Sequence, residues 1–197
     1  MKKNRIAKEI FHLFVYILLP LSVMILSCSS TIKEDPLSSA ALSIVDPTIR
    51  YSGEYFKIDY PMGDVSPDIG VCTDVIIRAY RVLGIDLQKE IHEDILKARE
   101  EYWRVHKIDK NINHRRVPNI QVFLERNGIT KPITYNAEDY LPGDIVIWKI
   151  GKLDHIGIVV NKKMKHLDEY MIVHNIGAGQ VVNPCLFDWE IKGHYRY

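Results

Sequence analysis

The sequence has few of the residues from which proteins build metal centres and nucleotide sites. Its three cysteines stand far apart, at positions 28, 72 and 185, and no Cys-x-x-Cys or His-x-x-x-His pair occurs. Such close pairs are the usual sign of a zinc site, and a glycine-rich phosphate loop, which is also missing, is the sign of a bound nucleotide. The sequence therefore indicates no metal and no other cofactor.

Charge of one sign is equally scarce. The formal net charge is +1 at pH 7, and the mature part of the chain contains no basic cluster. Affinity for DNA or RNA comes largely from lysines and arginines placed against phosphates, so the composition offers no argument for a nucleic acid partner. Internal repeats and low-complexity tracts are also missing. About 155 residues after residue 40 are enough for one domain with one core.

The first segment is typical of an exported protein. Four basic residues within the first eight positions precede a mostly apolar run from Phe11 to Leu26. This run is short and interrupted for a membrane span. It ends in Leu26-Ser27-Cys28, which resembles the lipobox of bacterial lipoproteins. The resemblance implies a signal peptide over residues 1–27, a lipid on Cys28 and a tether over residues 28–40. An ordinary signal-anchor helix with an incidental cysteine is the alternative.

A lipid on Cys28 would attach the protein to a membrane, because each buried methylene of an acyl chain contributes about 0.8 kcal/mol. The predicted location is the cell envelope, on the periplasmic or outer-membrane side, where the domain is expected over residues 41–197. This location permits a disulfide between Cys72 and Cys185, which the sequence leaves open.

Cys72 occupies the most informative stretch of the chain, residues 60–84. The first half is rich in proline, glycine and aspartate and predicts a loop. From Cys72 onward apolar residues recur at helical spacing until Gly84. Cys72 is therefore expected at a helix N-terminus, where free N–H groups favour a thiolate and can hold an oxyanion. Asp74 acts in the opposite direction on the thiol pKa, and a buried structural cysteine is the alternative.

The remaining pattern predicts an α+β fold. A second helix is expected after Asp86 as its N-cap, and a third from Pro118 to Gly128. After Ile129 the period changes to that of strands, with β-rich runs that include residues 145–148, 155–160 and 170–174. Helices followed by an antiparallel meander give N-terminal helices packed on a C-terminal sheet.

Two histidines flank the central strand pair of this meander. His155 opens its strand and His174 ends the next one. In an antiparallel hairpin the start of one strand lies beside the end of the other, so both rings are expected at one edge of the sheet. A thiol, a base and a group that orients the base are the parts of a cysteine nucleophile site, here Cys72, His155 and His174. The same donors could bind zinc, although their spacing argues against it.

The motifs resemble the NlpC-type cell-wall cysteine peptidases, which belong to the papain-like superfamily. The resemblance lies in the spacing of Tyr60, Gly63, Pro67 and Cys72, and in His155-Ile-Gly-Ile-Val after a Pro-Gly-Asp-Ile turn. Four longer motifs resemble those of an uncharacterised bacterial branch of that superfamily: Gly-Val-Cys-Thr-Asp-Val, His-Arg-Arg-Val-Pro-Asn, His-Asn-Ile-Gly and Gly-His-Tyr-Arg.

This resemblance implies a papain-like fold and cleavage of amide bonds in peptidoglycan peptides. It also implies that the Tyr60 hydroxyl helps to hold the oxyanion. The chain departs from the family's Asp-Cys-Ser pattern, because Val71 and Thr73 flank the cysteine.

Residues near this site are also predicted to recognise the substrate. His114 and Arg115 could bind a carboxylate, since arginine forks do so bidentately. They could equally pair with an acidic residue of the fold, and Asp74 is a further candidate for the substrate site. A non-catalytic envelope module that binds cell-wall peptides on the same fold is the alternative to an enzyme.

Overall fold

The computed structural model describes residues 34–164, 166 and 168–197, and it confirms the α+β class. The signal peptide and the lipidation site at Cys28 lie outside these residues. The helices are α1 (Pro36–Ser43), α2 (Cys72–Val82), α3 (Leu87–Lys97) and α4 (Val117–Asn127). The strands are β1 (Arg50–Tyr51), β2 (Ile69–Gly70), β3 (Ile129–Thr130), β4 (Ile145–Ile150), β5 (Leu153–Lys163), β6 (Tyr170–His174), β7 (Val181–Asn183) and β8 (Glu190–Arg196).

Helix α1 begins within residues 28–40, the stretch that was expected to be a tether, and continues to Ser43. The Asp35 side chain caps it by accepting from the N–H groups of Leu37 and Ser38. Leu37, Ala40 and Ala41 are buried, and the Ser38 hydroxyl accepts a 2.7 Å hydrogen bond from the N–H of Asn161 on β5. The folded domain therefore begins at about Asp35, because apolar residues before position 41 belong to its core.

Helices α2, α3 and α4 begin within one residue of the predicted starts, and α2 and α4 end just before the predicted glycines, whereas α3 ends at Lys97 although its apolar stripe was expected to continue to Tyr102. Cys72 is the first residue of α2, Asp86 caps α3 by accepting from the N–H of Lys89, and Gly128 follows α4. The buried residues of α2 include Val75, Ile76, Ala79 and Tyr80, which is the predicted apolar face. Helical periodicity was a reliable guide here because each helix buries one stripe of side chains.

The main sheet has the strand order β3-β8-β4-β5-β6-β7, and its neighbouring strands pair antiparallel. The meander β4-β5-β6-β7 confirms the predicted hairpin between the strands of His155 and His174. Strand β8, the last of the chain, pairs with β4 on one side and with β3 on the other. Its position inside the sheet, rather than at an edge, could not be read from the order of elements.

Both faces of the sheet are covered. One core cluster joins α1, α2, α3 and α4 to the residues of β5 that face them, Ile156, Ile158 and Val160. The opposite face of β5 carries Val159, which packs in a second cluster with Trp148 and Leu186. Because successive strand residues point to opposite faces, His155 leaves β5 on the second side. His155 therefore lies near the start of β5, on the face of the sheet opposite the helices.

Asp144, in the predicted turn before β4, anchors the end of the chain. It is fully buried and accepts hydrogen bonds from His194 Nε2 at 2.9 Å, Lys131 Nζ at 2.8 Å and Arg196 Nε at 2.8 Å. Burial raises the pKa of Asp144, but the hydrogen bonds from His194, Lys131, the Leu141 N–H and Arg196 outweigh it and lower the pKa to about 2. His194 is thus a hydrogen-bonded structural residue.

Among the residues that the structure describes, no helix has the length and apolar character needed to cross a bilayer.

Candidate active site

Cys72 lies where α2 meets the end of the sheet. Strand β2 leads directly into α2, and the carbonyl of Gly70 accepts a 3.4 Å hydrogen bond from the side chain of Asn175, the residue after β6. The Cys72 thiol also lies against the backbone N–H of Ile156, which follows His155 on β5. These contacts bring the first turn of α2 to the same end of the sheet as the two histidines, as the sequence predicted.

The Cys72 thiol is neutral at pH 7. Burial raises its pKa to about 11; the N–H groups of Ile156, Thr73 and Cys72 itself lower it, and Asp74 raises it. Only 5% of the residue is exposed, so loss of hydration outweighs the helix N-terminus. The sequence left the net direction of the pKa shift open; the N–H groups and Asp74 act on the thiol as expected, and burial makes the neutral thiol the favoured form.

The two histidines are in direct contact. His155 Nε2 and His174 Nδ1 are 2.8 Å apart, and both residues are buried. The register Ile158↔Val173, continued by one step, places Gly157 opposite His174, so His155 and His174 are diagonal neighbours on one face. A Cβ at position 157 would lie 2.6 Å from the Ile172 side chain and 3.3 Å from the His174 Cβ. Glycine at this position therefore keeps the space beside His174 open.

The far side of His174 determines which ring nitrogens carry protons. His174 Nε2 lies 3.3 Å from Asn183 Oδ1, which can only accept a hydrogen bond. His174 Nε2 therefore donates, its Nδ1 accepts from His155 Nε2–H, and the lone pair of neutral His155 is left on Nδ1. Asn183 thus helps to orient the His174 ring, although no spacing in the sequence pointed to it.

A second thiol lies beside the same ring. Cys185 Sγ is 3.7 Å from His174 Nε2, and burial raises the pKa of Cys185 to about 12. Cys72 and Cys185 are both free thiols in the structure, without the disulfide that the sequence left open. Within the described part of the chain, no group of three potential ligands is arranged to hold a metal ion.

Aromatic rings enclose the histidine pair. The ring centroid of Trp189 lies 5.7 Å from that of His155 and 6.2 Å from that of His174, and Trp148 lies 5.8 Å from His155. Burial lowers the pKa of His155 to about 3, and the neighbouring His174 lowers it further in the same direction. Burial also lowers the pKa of His174. Both rings are therefore neutral at pH 7.

The residues assigned to substrate recognition have structural roles instead. Arg115 donates to both carboxylate oxygens of Asp74, at 2.8 and 2.9 Å, and the side chains of this pair are 2% and 3% exposed. Asp74 also accepts from the N–H of Val71, and Arg115 donates to the carbonyls of Ser52 and Glu54. The pair joins α2 to the segment before α4, so the carboxylate partner of Arg115 is part of the fold.

His114 is also unsuited to binding an acidic substrate. It is 3% exposed, and burial lowers its pKa to about 4, which outweighs the opposite influence of Asp74. A neutral ring carries no positive charge for a carboxylate. The nearest exposed cation along the chain is Arg116, which the sequence analysis did not select.

Tyr60 does not lie beside the thiol. Its ring packs edge-on against His92, with centroids 5.2 Å apart, and under Lys110 Nζ. Tyr51, rather than Tyr60, lines the same cleft as Cys72. Burial raises the pKa of Tyr51, and the charge of Cys72 acts in the same direction. Tyr51 is the last residue of the short strand β1, in a segment without a recognisable pattern, so no sequence signal pointed to it.

A cleft of about 590 Å³ opens beside Cys72. Its walls come from the loop around Tyr51, the first turn of α2, residues 104–107, the segment 112–119 and the turn 152–154. Thr73 lines the cleft with 1% of its surface exposed, and its hydroxyl has no hydrogen-bond partner in the structure. The rings of His155 and His174 are not among the lining side chains, so Cys72 is the member of the predicted triad that faces the cleft.

Comparison with known proteins identifies a family. The model of a domain of unknown function, DUF1287, matches residues 38–197. A similar protein is the uncharacterized protein YijF of Escherichia coli (strain K12), which is 41% identical over 165 residues covering 82% of this chain and 80% of that protein. No solved structure shows significant similarity to the chain.

These matches correct the assignment made from the motifs. Membership of the NlpC-type papain-like superfamily is wrong, because the matching family stands by itself and neither match points to that superfamily. The shared Cys and His phrases were too short to identify a superfamily. The match over nearly the whole described domain shows that the chain belongs to the DUF1287 family.

Proposed function

We propose that this domain is a cysteine hydrolase that cleaves amide bonds of cell-wall peptides. The observation that carries the proposal is the buried 2.8 Å contact between His155 and His174 at the sheet end that also receives Cys72 from the N-terminus of α2. A nucleophile, a base and an orienting group are the minimum for acyl transfer through a thioester. The reaction requires only this meeting of helix and sheet, and no papain-like or NlpC-type ancestry.

The reaction begins from a neutral thiol and a neutral imidazole. As Cys72 Sγ attacks the amide carbonyl, the thiol proton moves to His155 Nδ1, and the carbonyl electron pair moves to oxygen. His155 then gives this proton to the leaving amine, and a thioester remains on Cys72. Water attacks the thioester with His155 as base, which releases a carboxylic acid and restores the thiol. His174 and Asn183 hold the tautomer that keeps the Nδ1 lone pair available.

The developing oxyanion has donors at the start of α2. The N–H groups of Cys72 and Thr73 are among those that lower the pKa of the Cys72 thiol, so they already stabilise negative charge there. Losing one oxyanion donor typically costs about two to three orders of magnitude in rate. A bound substrate would also displace water from the cleft, which strengthens these interactions.

The predicted lipid anchor at Cys28 supports the proposed substrate class and location. If Cys28 carries a lipid, the domain is held at the membrane within the cell envelope, where peptidoglycan peptides are the abundant amide substrates. The cleft of about 590 Å³ is within the size range of pockets that bind small ligands. The membrane and peptidoglycan are therefore the proposed partners.

A binding module for the same peptides is the second candidate. It is favoured by the raised pKa of Cys72, because a neutral and almost fully buried thiol is a weak nucleophile. Such a module would bind wall peptides without releasing fragments.

Digestion of purified peptidoglycan, followed by mass spectrometry of the soluble fragments, tests the hydrolase. We expect the wild type to release peptides, and the variants Cys72→Ser and His155→Gln to be at least 1,000-fold slower, in the range typical of nucleophile and base removal. His166→Gln, an exposed histidine in the turn after β5, is the matched control and should retain activity. Binding without fragment release by the wild type would favour the second candidate.

A further inference from the structure

The cleft beside Cys72 has an excess of positive charge. Its lining contains the cationic side chains of Arg104, Lys107, Arg115, Arg116 and Lys152, against the single carboxylate of Asp154. A net charge near zero for the whole chain gives no reason for such a local excess. The sign of the cleft is therefore a property of the site.

Ion pairs within the fold account for some of these cations. Arg115 is neutralised by Asp74, and Arg104 Nη1 lies 2.9 Å from Asp154 Oδ2. Asp154 also receives Lys149 Nζ at 2.7 Å, so its charge is fully engaged.

The other three cations remain available. Lys107, Arg116 and Lys152 make no ion pair within the described part of the chain, and all three are exposed. They come from three separate segments that converge on one cleft: the loop after α3, the residue before α4 and the turn between β4 and β5. Unpaired cations facing a common space repel one another, and an anion between them would remove that cost.

A second observation also points to a ligand in this space. Thr73 lines the cleft, and its hydroxyl, which is almost completely buried, has no hydrogen-bond partner among the described residues. A buried hydroxyl without a partner costs about 1–3 kcal/mol, so it is a natural position for a substrate polar group. It stands on the first turn of α2, beside the nucleophile, where backbone N–H groups also favour negative charge.

We propose that the cleft selects substrates with a free carboxylate close to the scissile amide bond, held by Arg116 and Lys152, with Thr73 as a hydrogen-bond partner. This inference deepens the proposed hydrolase function and rests on it. It replaces the predicted role of His114 and Arg115 with that of the adjacent exposed arginine. In cell-wall peptides the chemistry fits the α-carboxylate of a γ-linked glutamate, which distinguishes the acidic form from its amidated form.

The test is binding to the full-length Cys72→Ala variant, which removes catalysis from the measurement. The probes are the tripeptide amide L-alanyl-γ-D-glutamyl-L-lysinamide, whose only free carboxylate is the glutamate α-carboxylate, and the same peptide with that carboxylate amidated. Isothermal titration calorimetry should give a Kd about tenfold or more lower for the acidic peptide, because charge-assisted hydrogen bonds are the stronger kind. This preference should weaken as salt is raised.

Matched variants assign the preference to residues. In the Cys72→Ala background, Arg116→Gln and Lys152→Gln should each reduce the preference several-fold, and the double variant should abolish it. Lys162→Gln removes the same charge from the far end of β5 and should leave the preference unchanged. Circular dichroism of each variant checks that the fold is retained.

The outcomes separate this inference from the hydrolase proposal. A lack of hydrolysis by the wild type, with the preference intact in Cys72→Ala, would reject the enzyme and leave the carboxylate site standing. Hydrolysis with equal affinity for the two peptides would reject the carboxylate site alone. The site is also rejected if neither peptide binds, or if Lys162→Gln lowers the preference as much as Arg116→Gln.

Discussion

At the scale of single residues, the central finding is that the three side chains of the site are all neutral in the free protein. Burial raises the pKa of Cys72 to about 11 and lowers that of His155 to about 3. An ion pair between thiolate and imidazolium is thus disfavoured until a substrate changes the surroundings. The proposed reaction therefore depends on proton transfer at the moment of attack.

This protonation state predicts the pH dependence of alkylation. Iodoacetamide reacts with the thiolate, so the labelling rate of Cys72 should rise about tenfold per pH unit from neutral pH up to about pH 10. Peptide mapping by mass spectrometry would report Cys72 separately from Cys185. A rate that levels off below pH 7 would show an activated thiolate and contradict the neutral pair.

Residue identities were read from the sequence more reliably than residue surroundings. His155 and His174 were placed together correctly because a hairpin is a local pattern, and Cys72 was placed correctly at the start of a helix. Asn183, Tyr51 and Thr73 were missed, since their importance comes from contacts between distant segments. Arg115 was assigned to substrate because its partner, Asp74, lies 41 positions away in the chain.

At the scale of elements, the ion pair between Asp74 and Arg115 fixes the start of α2. Asp74 accepts hydrogen bonds from the N–H of Val71 and from the buried guanidinium of Arg115. The same guanidinium donates to two backbone carbonyls of the segment after β1. Cys72 lies between Val71 and Asp74, whose positions these hydrogen bonds fix. A carboxylate in the first turn also complements the helix dipole.

Breaking this pair should destabilise the protein strongly. Arg115→Ala leaves a buried carboxylate without its partner, so the free energy of unfolding should fall by about 3–5 kcal/mol. Urea denaturation followed by circular dichroism measures the change.

The controls use the same chemistry in other settings. Arg50→Ala, which removes an exposed pair with Asp68, should change the midpoint little. The double variant Asp74→Asn, Arg115→Met should recover part of the loss, because no charge is left unpaired. An equal loss in the Arg50 and Arg115 variants would argue against a structural role for the buried pair.

Most element types were predictable, because periodicity and caps are local signals. The fold class and the β4-β5-β6 meander followed from them. The start of the domain at α1 was not predicted, since residues 36–43 are short and polar enough to look like a tether. Burial of Leu37, Ala40 and Ala41 depends on a sheet built more than a hundred positions later.

At the scale of the whole molecule, buried neutral histidines make the fold sensitive to acid. Burial lowers the pKa of His155 to about 3 and that of His114 to about 4, and it also lowers the pKa of His174. Above pH 6.5 these groups bind no protons in either state. Below pH 6.5 the unfolded chain binds protons that the folded protein does not. The free energy of unfolding therefore decreases as the pH is lowered.

This difference predicts a melting temperature that declines below pH 6.5. His155 and His114 should each cost on the order of 1 kcal/mol per pH unit between about pH 6 and 4, and His174 should act in the same direction. Below about pH 4 Asp144, whose folded pKa is about 2, adds a further loss in the same direction. Differential scanning calorimetry between pH 7 and 4 measures the decline.

His114→Gln removes one of these groups outside the proposed catalytic site, so its melting temperature should depend less steeply on pH. The comparison uses the slope, which is independent of any constant effect of the substitution. A melting temperature that is flat from pH 7 to 4.5 would contradict the assignment of buried neutral rings.

The position of β8 has a consequence for how the chain matures. Because residues 190–196 fill the position between β3 and β4, the sheet has a gap until this segment has been synthesised and has paired. Contacts this distant in sequence also form slowly. Deletion of residues 190–196 would leave β3 without its partner strand and would expose one edge of β4.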